Sequence, residues 1–296
     1  MKDIRIKNYL KFIIKLSLTI AALYFVFKKI AVDEFVETIR KGDFFYLFLA
    51  LLTFNASKLI SAFRLNNFFK AIHLNLSTNF NLRLYWVGMF YNLFLPGSIG
   101  GDGYKVYLLH QFSGIKLKSI VTATFLDRTS GMVFLLFIAI ILILFSSLSV
   151  PIPYFNYLLI LALLLLIPVY YLAVKILFPA FLGIFLQTGL QAMFVQLGQV
   201  LCAFFLLLSL SVNTGFTDYL ALFMVASVAS VLPITIGGVG LREAVVLLWG
   251  TKYLNVDETT SIAFTLSFFM VTACTSLIGL FFLLGIDKKA EESFSV

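Results

Sequence analysis

The sequence carries the stretch Pro96-Gly97-Ser98-Ile99-Gly100-Gly101-Asp102-Gly103 inside an apolar segment that runs from Leu84 to Phe112. A second stretch, Pro233-Ile234-Thr235-Ile236-Gly237-Gly238-Val239-Gly240, interrupts the apolar segment from Tyr219 to Trp249. Proline lacks a backbone N–H and glycine has a low helix propensity, so neither stretch is compatible with a straight helix. Each segment is therefore predicted to form a helix, a break and a second helix.

The two breaks are copies of one motif. Both fit the pattern P-x-[ST]-I-G-G-x-G-x-[KR], and each matched position of the second copy lies 137 residues after its counterpart in the first. Apolar pairs, Leu108-Leu109 and Val245-Val246, continue the same register. This agreement predicts an internal repeat. The matched pairs are Pro96/Pro233, Ser98/Thr235, Ile99/Ile236, Gly100/Gly237, Gly101/Gly238, Gly103/Gly240 and Lys105/Arg242.

The composition indicates a membrane protein. Of the 296 residues, 61% are hydrophobic and only 12% are charged, and the mean hydropathy is +1.03. Soluble domains carry about twice this fraction of charged residues, so a soluble, disordered or disulfide-framework protein is excluded. Basic residues beside apolar spans explain the net charge of +8 better than nucleic acid binding does. The isolated cysteines and histidines favour neither a metal site nor a disulfide, and we expect no cofactor and no nucleic acid partner.

Six segments are long and apolar enough to cross a bilayer, by the criterion of about 20 residues. A basic N-terminus precedes the first of them and no cleavage site follows it, which predicts an uncleaved first helix. The segments are approximately Phe12–Phe27, Phe44–Phe63, Ser119–Leu148, Tyr154–Leu177, Phe185–Val212 and Thr259–Leu284.

The two interrupted segments are predicted to be re-entrant hairpins. Each arm has about 12 to 15 residues and, at a rise of about 1.5 Å per residue, reaches only part way through the roughly 30 Å core. The positive-inside rule then places Lys116, Lys118, Lys288 and Lys289 in the cytoplasm, together with both termini. An odd number of crossings separates the copies, so they are inverted in the membrane, as in many transporters.

The expected fold is an all-α polytopic membrane protein that forms a single domain, residues 1–296, in the cytoplasmic (inner) membrane. It combines about six full transmembrane helices with two Gly/Pro-broken re-entrant helical hairpins. These form an inverted-topology repeat with cores at about residues 84–148 and 219–284. Gly183, Gly189 and Gly198 favour close helix packing, within the chain or in a homodimer.

Each break is predicted to bind an anion. The first N–H groups of the helix after the glycines lack intrahelical partners, and the helix dipole favours negative charge there. Lys105 in one copy and Arg242 in the other add a basic residue to that first turn, which favours a phosphate. The alternative is structural: the glycines allow a tight turn, Asp102 caps its helix, and the basic residues pair with Asp102 and Glu243.

Asp127-Arg128 is a second candidate, since charged residues within an apolar helix usually face a cavity or a partner. Alternatively, the pair lies at the interface and snorkels. Lys58 and Arg64 are interpreted as anchors on the cytoplasmic side. No catalytic or metal-binding residue is assigned. The candidate substrate-binding residues are Pro96, Ser98, Gly100, Gly101, Asp102, Lys105, Asp127, Arg128, Pro233, Thr235, Gly237, Gly238, Gly240, Arg242 and Glu243.

The chain resembles the flippase-like membrane domain of lysylphosphatidylglycerol synthases and of their stand-alone, YbhN-like (UPF0104) relatives. The resemblance is carried by the run from Leu95 to Lys105, by Asp127-Arg128, and by the run from Pro233 to Glu243, and it extends over nearly the whole chain. It implies a role in moving or binding a lipid. Relatives often have arginine at the position of Lys105 and glutamate at that of Asp127. Bifunctional members add a soluble aminoacyl transferase domain, which we do not expect here, so lysyl transfer is not implied.

The leading hypothesis is a lipid transporter or flippase. It would bind the phosphate headgroup of an anionic phospholipid or of a polyprenyl-phosphate-linked glycan at the two Gly-Gly breaks, between the inverted repeats. An alternative is a non-transporting accessory subunit of an envelope glycosyltransferase or lipid-modifying system. A membrane transferase is less favoured because the sequence shows no catalytic constellation, so no enzymatic activity is expected. The expected partners are membrane lipids, with an envelope-biosynthesis protein or a second copy of the chain as further candidates.

Overall fold

A computed structural model describes residues 42–94, 100–148, 152–231 and 256–294, together with residues 245, 250, 253 and 254. Within these ranges the regular structure is helical, as the composition predicts. The described α-helices, numbered here α1 to α9, are Phe44–Lys70, Thr78–Phe94, Gly100–Ser113, Leu117–Phe145, Phe155–Leu177, Phe185–Ser209, Phe216–Val231, Glu258–Leu283 and Ile286–Phe294. A 3₁₀ turn, Pro179–Ile184, leads directly into α6.

Five of the described helical segments have the length and hydropathy of membrane spans: α1, α4, α5, α6 with its 3₁₀ turn, and α8. They contain 23 to 31 residues, so at about 1.5 Å per residue each exceeds the roughly 30 Å hydrocarbon core. The five corresponding predicted spans are thus found as apolar helices. The sixth, Phe12–Phe27, lies outside the described residues.

Helix α1 continues to Lys70, seven residues beyond the predicted end at Phe63. The added turns are polar in sequence, but several of their side chains, including Arg64 and Asn66, are buried against other helices. Hydropathy alone ends the helix too early because it does not account for a charged residue such as Arg64 that pairs with Asp127 inside the bundle.

Helices α2 and α3 form a broken hairpin. The N–H of Gly101 donates to Asn92 Oδ1 at 2.8 Å, and the rings of Tyr91 and Tyr104 lie 4.6 Å apart. Further from the break, Lys105 Nζ lies 5.0 Å from the ring centroid of Tyr85. Residues further along α3 contact residues further back in α2, so the two helices are antiparallel. The two helices predicted on either side of the first break are therefore present, while residues 95–99 lie outside the described residues and the re-entrant placement in the membrane stays a prediction.

The second break has only its first arm described. Helix α7 ends at Val231, and residues 232–244 with most of those up to 255 lie outside the described residues. The prediction of a second hairpin therefore rests on the sequence repeat.

The repeat extends further than the two glycine motifs. Adding the motif offset of 137 residues to the bounds of α2, Thr78–Phe94, gives 215–231, and α7 is Phe216–Val231. The same offset carries α4 onto 254–282, where α8 lies, and α1 onto 181–207, where the 3₁₀ turn and α6 lie. Each repeat thus begins one helix earlier than the cores predicted from the sequence, and α5 connects the two repeats.

The first helix of each repeat ends in the same turn. His73 after α1 and Ser211 after α6 both adopt the left-handed conformation, with φ of 61° and 60°. In both turns the N–H of the residue after the left-handed one donates to a carbonyl five residues earlier: Leu74 N bonds Phe69 O and Val212 N bonds Leu207 O, each at 3.0 Å. This is a Schellman cap, and the shared geometry supports the repeat independently of the glycine motifs.

The repeats pack in an approximately two-fold arrangement. Helix α1 packs along its counterpart α6, while α2 packs on α8 and α4 packs on α7. Exchanging the two repeats turns the contact of α2 with α8 into the contact of α7 with α4. Gly198 of α6 lets α1 approach closely, because an added Cβ there would lie 3.0 Å from the Cβ of Ser57. Its role within the chain is helix packing.

Two large clusters of buried apolar side chains lie among the described residues. One joins the hairpin to α1 and α4 through residues such as Phe69, Phe90 and Leu109. The other lies between the repeats and includes Phe54 of α1 and Phe268 of α8, whose rings meet edge to face at 5.6 Å. By contrast, α5 has most of its side chains exposed, as expected for a helix that faces lipid.

The inverted repeat predicts that equivalent loops lie on opposite sides of the membrane. Asn75 and Asn213 are exposed in the two equivalent turns. In a background with the exposed Cys274 replaced by serine, an impermeant maleimide should label Asn213→Cys in intact cells. It should label Asn75→Cys only after permeabilisation. Labelling of both cysteines from the same side would contradict the inversion.

Candidate functional site

A cavity of about 340 Å³ lies among the described helices, at the boundary between the two repeats. Its size is at the lower end of that of small-molecule pockets. The first repeat lines it through α1, α2 and α4, with Lys58, Tyr85, Met89, Asn92, Leu93, Arg128, Gly131, Met132 and Leu135. The second repeat lines it through α6, α7 and α8, with Gln196, Gln199, Ser227, Ser230, Val231, Thr272 and Ser276.

The lining is polar although the helices that form it are apolar. Lys58 and Arg128, both from the first repeat, contribute the charged side chains among the described lining residues. Polar groups at this depth are tolerated where they face protein or a wet cavity. The helices therefore turn polar residues, two of them basic, toward a partly open cavity between the repeats.

Asp102 holds the hairpin to α4. It lies in the first turn of α3, where the helix dipole favours a carboxylate. Its Oδ1 accepts a hydrogen bond from Lys105 Nζ at 2.8 Å, and its Oδ2 accepts one from Arg128 Nε. Asp102 and Lys105 are only 8% and 4% exposed, so these two charges are shielded from solvent, whereas the Arg128 side chain is 34% exposed. The carboxylate thereby fixes Arg128 at the cavity.

Lys105 lies behind this carboxylate rather than on the cavity lining. Its side chain is buried between α2 and α3, with only 4% of the residue exposed. The ammonium is held by Asp102 and by the face of the Tyr85 ring, an arrangement that stabilises a buried cation. The pairing of Lys105 with Asp102, which the sequence left as an alternative, is the arrangement in the structure. Of the two cations paired with Asp102, Arg128 is the one that lines the cavity.

Gly101 serves close helix packing. A Cβ added at this position would lie 1.8 Å from the backbone oxygen of Gly88 on α2. The backbones of α2 and α3 therefore meet at these two glycines. The N–H of Gly101 is already bonded to the Asn92 side chain, so this orphan donor at the start of α3 has a partner within the chain. Gly100 begins the same helix and is partly buried.

Asp127 and Arg128 are neighbours in sequence but take part in different interactions. Asp127 Oδ1 accepts a hydrogen bond from Arg64 Nε of α1 at 2.8 Å, whereas Arg128 bonds Asp102. Consecutive residues of a helix point about 100° apart, so α4 contacts α1 with one charged side chain and α3 with the next. Asp127 is not among the residues that line the cavity.

The interpretation of Lys58 and Arg64 as surface anchors is wrong. Arg64 is only 6% exposed and is paired with Asp127. Lys58 lines the cavity, and its Nζ lies 4.6 Å from the centroid of the Phe54 ring. The positive-inside rule locates basic residues by sequence position, so it misses those that turn toward a partner inside the bundle.

Several predicted site residues lie outside the described residues. They include the central residues of both breaks, so a meeting of Lys105 with Arg242 stays a prediction. These residues are Pro96, Ser98, Pro233, Thr235, Gly237, Gly238, Gly240, Arg242 and Glu243.

The sequence analysis did not identify the uncharged polar residues of the lining, although their spacing along each helix could have indicated them. Gln196 and Gln199 lie three residues apart on α6, as do Ser227 and Ser230 on α7. Thr272 and Ser276 lie four apart on α8. Polar residues at such spacing share one helix face, so three otherwise apolar helices each present one polar face. Asn92 was missed too, and only its place near the first break marks it.

Comparison with known proteins identifies the family. Residues 12–279 match the family described as the lysylphosphatidylglycerol synthase TM region. The chain belongs to this family. The resemblance found in the sequence is thereby confirmed.

A UPF0104 membrane protein of Pyrococcus horikoshii is similar over a shorter stretch. It is 29% identical to the chain over 119 residues. The match covers 40% of this chain and 34% of the relative, so the chain spans about a third of the length of the curated protein it matches. The similarity supports a multi-pass membrane protein of this group.

The glycine contacts predict unequal effects within one motif. Gly101→Ala should destabilise the protein by about 3 kcal/mol or more, because the added methyl group meets backbone that cannot rotate away. Gly103→Ala should be neutral or stabilise by up to about 1 kcal/mol, because an added Cβ at Gly103 meets nothing within 4 Å and alanine favours the helix. Unfolding in detergent measures both, and equal stability of the two variants would contradict this packing.

The Arg64–Asp127 pair predicts a coupled effect on stability. Asp127→Asn should lower the free energy of unfolding by about 3 kcal/mol, because it leaves a buried guanidinium without its counter-charge. The double replacement Arg64→Met/Asp127→Leu should recover most of that loss. Equilibrium unfolding in mixed micelles gives both values. Additive losses in the double variant would show that the pair does not act as a unit.

Proposed function

We propose that the protein binds the phosphate headgroup of an anionic lipid in the cavity between its repeats and transfers that lipid between the leaflets. The observation that carries this proposal is the cavity itself, which lies between helices long and apolar enough to span a membrane and yet is lined by two basic and several uncharged polar side chains. Charged residues within a membrane protein usually mark the path of a substrate, and two basic residues attract a phosphate.

Arg128 has the chemistry to bind the phosphate. Guanidinium groups match the geometry of phosphate oxygens through a planar fork of donors. Asp102 bonds the Nε atom and thereby sets the plane of the fork. Lys58 adds a point charge on the opposing helix α1. The headgroup then occupies the cavity while the acyl chains remain in the bilayer.

The repeats support transfer rather than binding alone. In transporters built from inverted repeats, the substrate lies at the boundary between the repeats, and rocking of one repeat against the other exposes it to alternate sides. The cavity lies at that boundary here. No bond is made or broken, so the activity is not enzymatic.

Family membership favours a lipid as the substrate. The family takes its description from lysylphosphatidylglycerol synthase, which is named for a phospholipid product. The cytoplasmic membrane is the proposed location, with both termini in the cytoplasm. Whether the lipid is a phospholipid or a polyprenyl-phosphate glycan, its phosphate is the group recognised.

Transfer can be measured in proteoliposomes. Wild-type protein should move a fluorescent phosphatidylglycerol analogue between leaflets, as measured by the fraction protected from dithionite. Arg128→Gln should slow transfer about tenfold or more, since hydrogen bonds to charged groups contribute about 1.5–3 kcal/mol. Arg128→Lys should give an intermediate rate because it keeps the charge and loses the fork.

Lys175→Gln is the matched control. It removes a basic residue from the exposed end of α5, away from the cavity, and should leave the rate unchanged. Absence of transfer by folded wild-type protein, or equal rates for Arg128→Gln and Lys175→Gln, would contradict the proposal. Either result would favour the accessory-subunit alternative, in which the charge of Arg128 is dispensable.

A further inference from the structure

We infer that the second repeat recognises hydroxyl groups, so that the substrate lipid carries a polyol or a sugar beside its phosphate. This inference rests on the proposed function and names the substrate class of the same cavity. It follows from an unequal division of chemistry between the two repeats and from one unpaired side chain.

The two sides of the cavity differ in charge. Both charged residues among the described lining come from the first repeat. The second repeat contributes one apolar side chain, Val231, and six uncharged polar ones, namely Gln196, Gln199, Ser227, Ser230, Thr272 and Ser276. Amides and hydroxyls both donate and accept hydrogen bonds, which suits sugar and polyol hydroxyls. The phosphate is therefore assigned to the first repeat and the rest of the headgroup to the second.

Ser227 carries the strongest indication of a ligand. Its Oγ is buried and has no hydrogen-bond partner among the described residues, and the residue is only 9% exposed. It lies on the cavity lining near the end of α7. A buried hydroxyl without a partner is unfavourable. A ligand hydroxyl in the cavity would satisfy it as donor or as acceptor.

Neighbouring groups on this side present acceptor atoms. Thr272 Oγ1 donates to Phe268 O at 2.9 Å, so its hydrogen is used and its oxygen still accepts. Gln196 Nε2 donates to Gly131 O at 3.0 Å across the boundary between the repeats. This bond turns the amide donor toward α4 and keeps an amide oxygen as an acceptor. Acceptor atoms repel a phosphate but bind the O–H groups of a polyol.

The same lining disfavours a zwitterionic headgroup. A quaternary or primary ammonium is recognised by carboxylates or by a cage of aromatic rings. The described lining residues include no carboxylate, and Tyr85 is the aromatic residue among them. Choline and ethanolamine headgroups therefore lack a partner on this part of the cavity.

Two lipids of equal charge test the inference. Phosphatidylglycerol and phosphatidylpropanol with identical acyl chains are both monoanionic phosphodiesters with a three-carbon headgroup, and they differ by two hydroxyls. Native mass spectrometry of the full chain, titrated with each lipid, gives the two dissociation constants. Wild-type protein should bind phosphatidylglycerol about tenfold more tightly, as expected for one or two additional hydrogen bonds.

Matched variants locate the preference. Ser227→Ala/Thr272→Val removes two hydroxyls from the cavity and should reduce the preference to about twofold or less. Ser209→Ala/Thr265→Val makes the same chemical changes on α6 and α8 at hydroxyls that bond their own helix backbone, outside the cavity. It should keep the wild-type preference. Melting temperatures in detergent show that both variants are folded.

The possible failures are distinguishable. If wild-type protein binds the two lipids equally and Arg128→Gln weakens both, the hydroxyl inference is wrong and the phosphate proposal stands. If Ser227→Ala/Thr272→Val keeps the full preference, the assignment to the second repeat is wrong. If neither anionic lipid binds more tightly than phosphatidylcholine, the hydroxyl inference and the proposed function both fail.

Discussion

Asp102 shares one carboxylate between Lys105 of its own helix and Arg128 of α4, and the cavity depends on this sharing. In the low dielectric of a membrane protein, an ionised group without a partner is costly. The carboxylate neutralises Lys105 behind it and holds Arg128 in front of it, so the broken hairpin and the span α4 keep one relative position. The Arg64–Asp127 pair holds α4 to α1 by the same principle. Arg128 is thus presented by helices that ion pairs fix on two sides.

Close backbone contacts then set how tightly the helices surround the cavity. Gly101 meets Gly88 within the hairpin, and Gly279 of α8 leaves room for the backbone of Trp86 on α2. Without a hydrophobic driving force between helices in lipid, such contacts and interhelical hydrogen bonds supply much of the association. Both contacts involve α2, the helix that contributes Tyr85 and Asn92 to the cavity. The position of the polar side chains is therefore set by glycines that touch no ligand themselves.

The sequence predicts the spans and the repeat well because both depend on local pattern. Runs of apolar residues locate α4, α5 and α8 within a few residues, and the glycine motifs give the offset that also relates α2 to α7. The cavity could not be predicted from local pattern, because it depends on which helices pack against each other. Arg64 and Lys58 resemble surface anchors until α4 and the second repeat are packed beside them. The pairing of α1 with α6 was not predicted either, because these two helices share a position in the repeat but no motif.

The fold repeats, whereas the charges on its spans α1 and α4 do not. At the common offset of 137, Arg128 corresponds to Thr265, Asp127 to Phe264, and Lys58 to Val195. The spans of the second repeat thus carry no counterpart of these three charges, whereas Lys105 in the first break has a basic counterpart in Arg242. In an inverted-repeat transporter the two end states arise by exchanging the conformations of the repeats, so a symmetric site would offer the headgroup two equivalent positions. Under the proposed function, a phosphate bound at Arg128 stays with the first repeat in both states, while the second repeat, with its uncharged polar lining, moves past the rest of the headgroup.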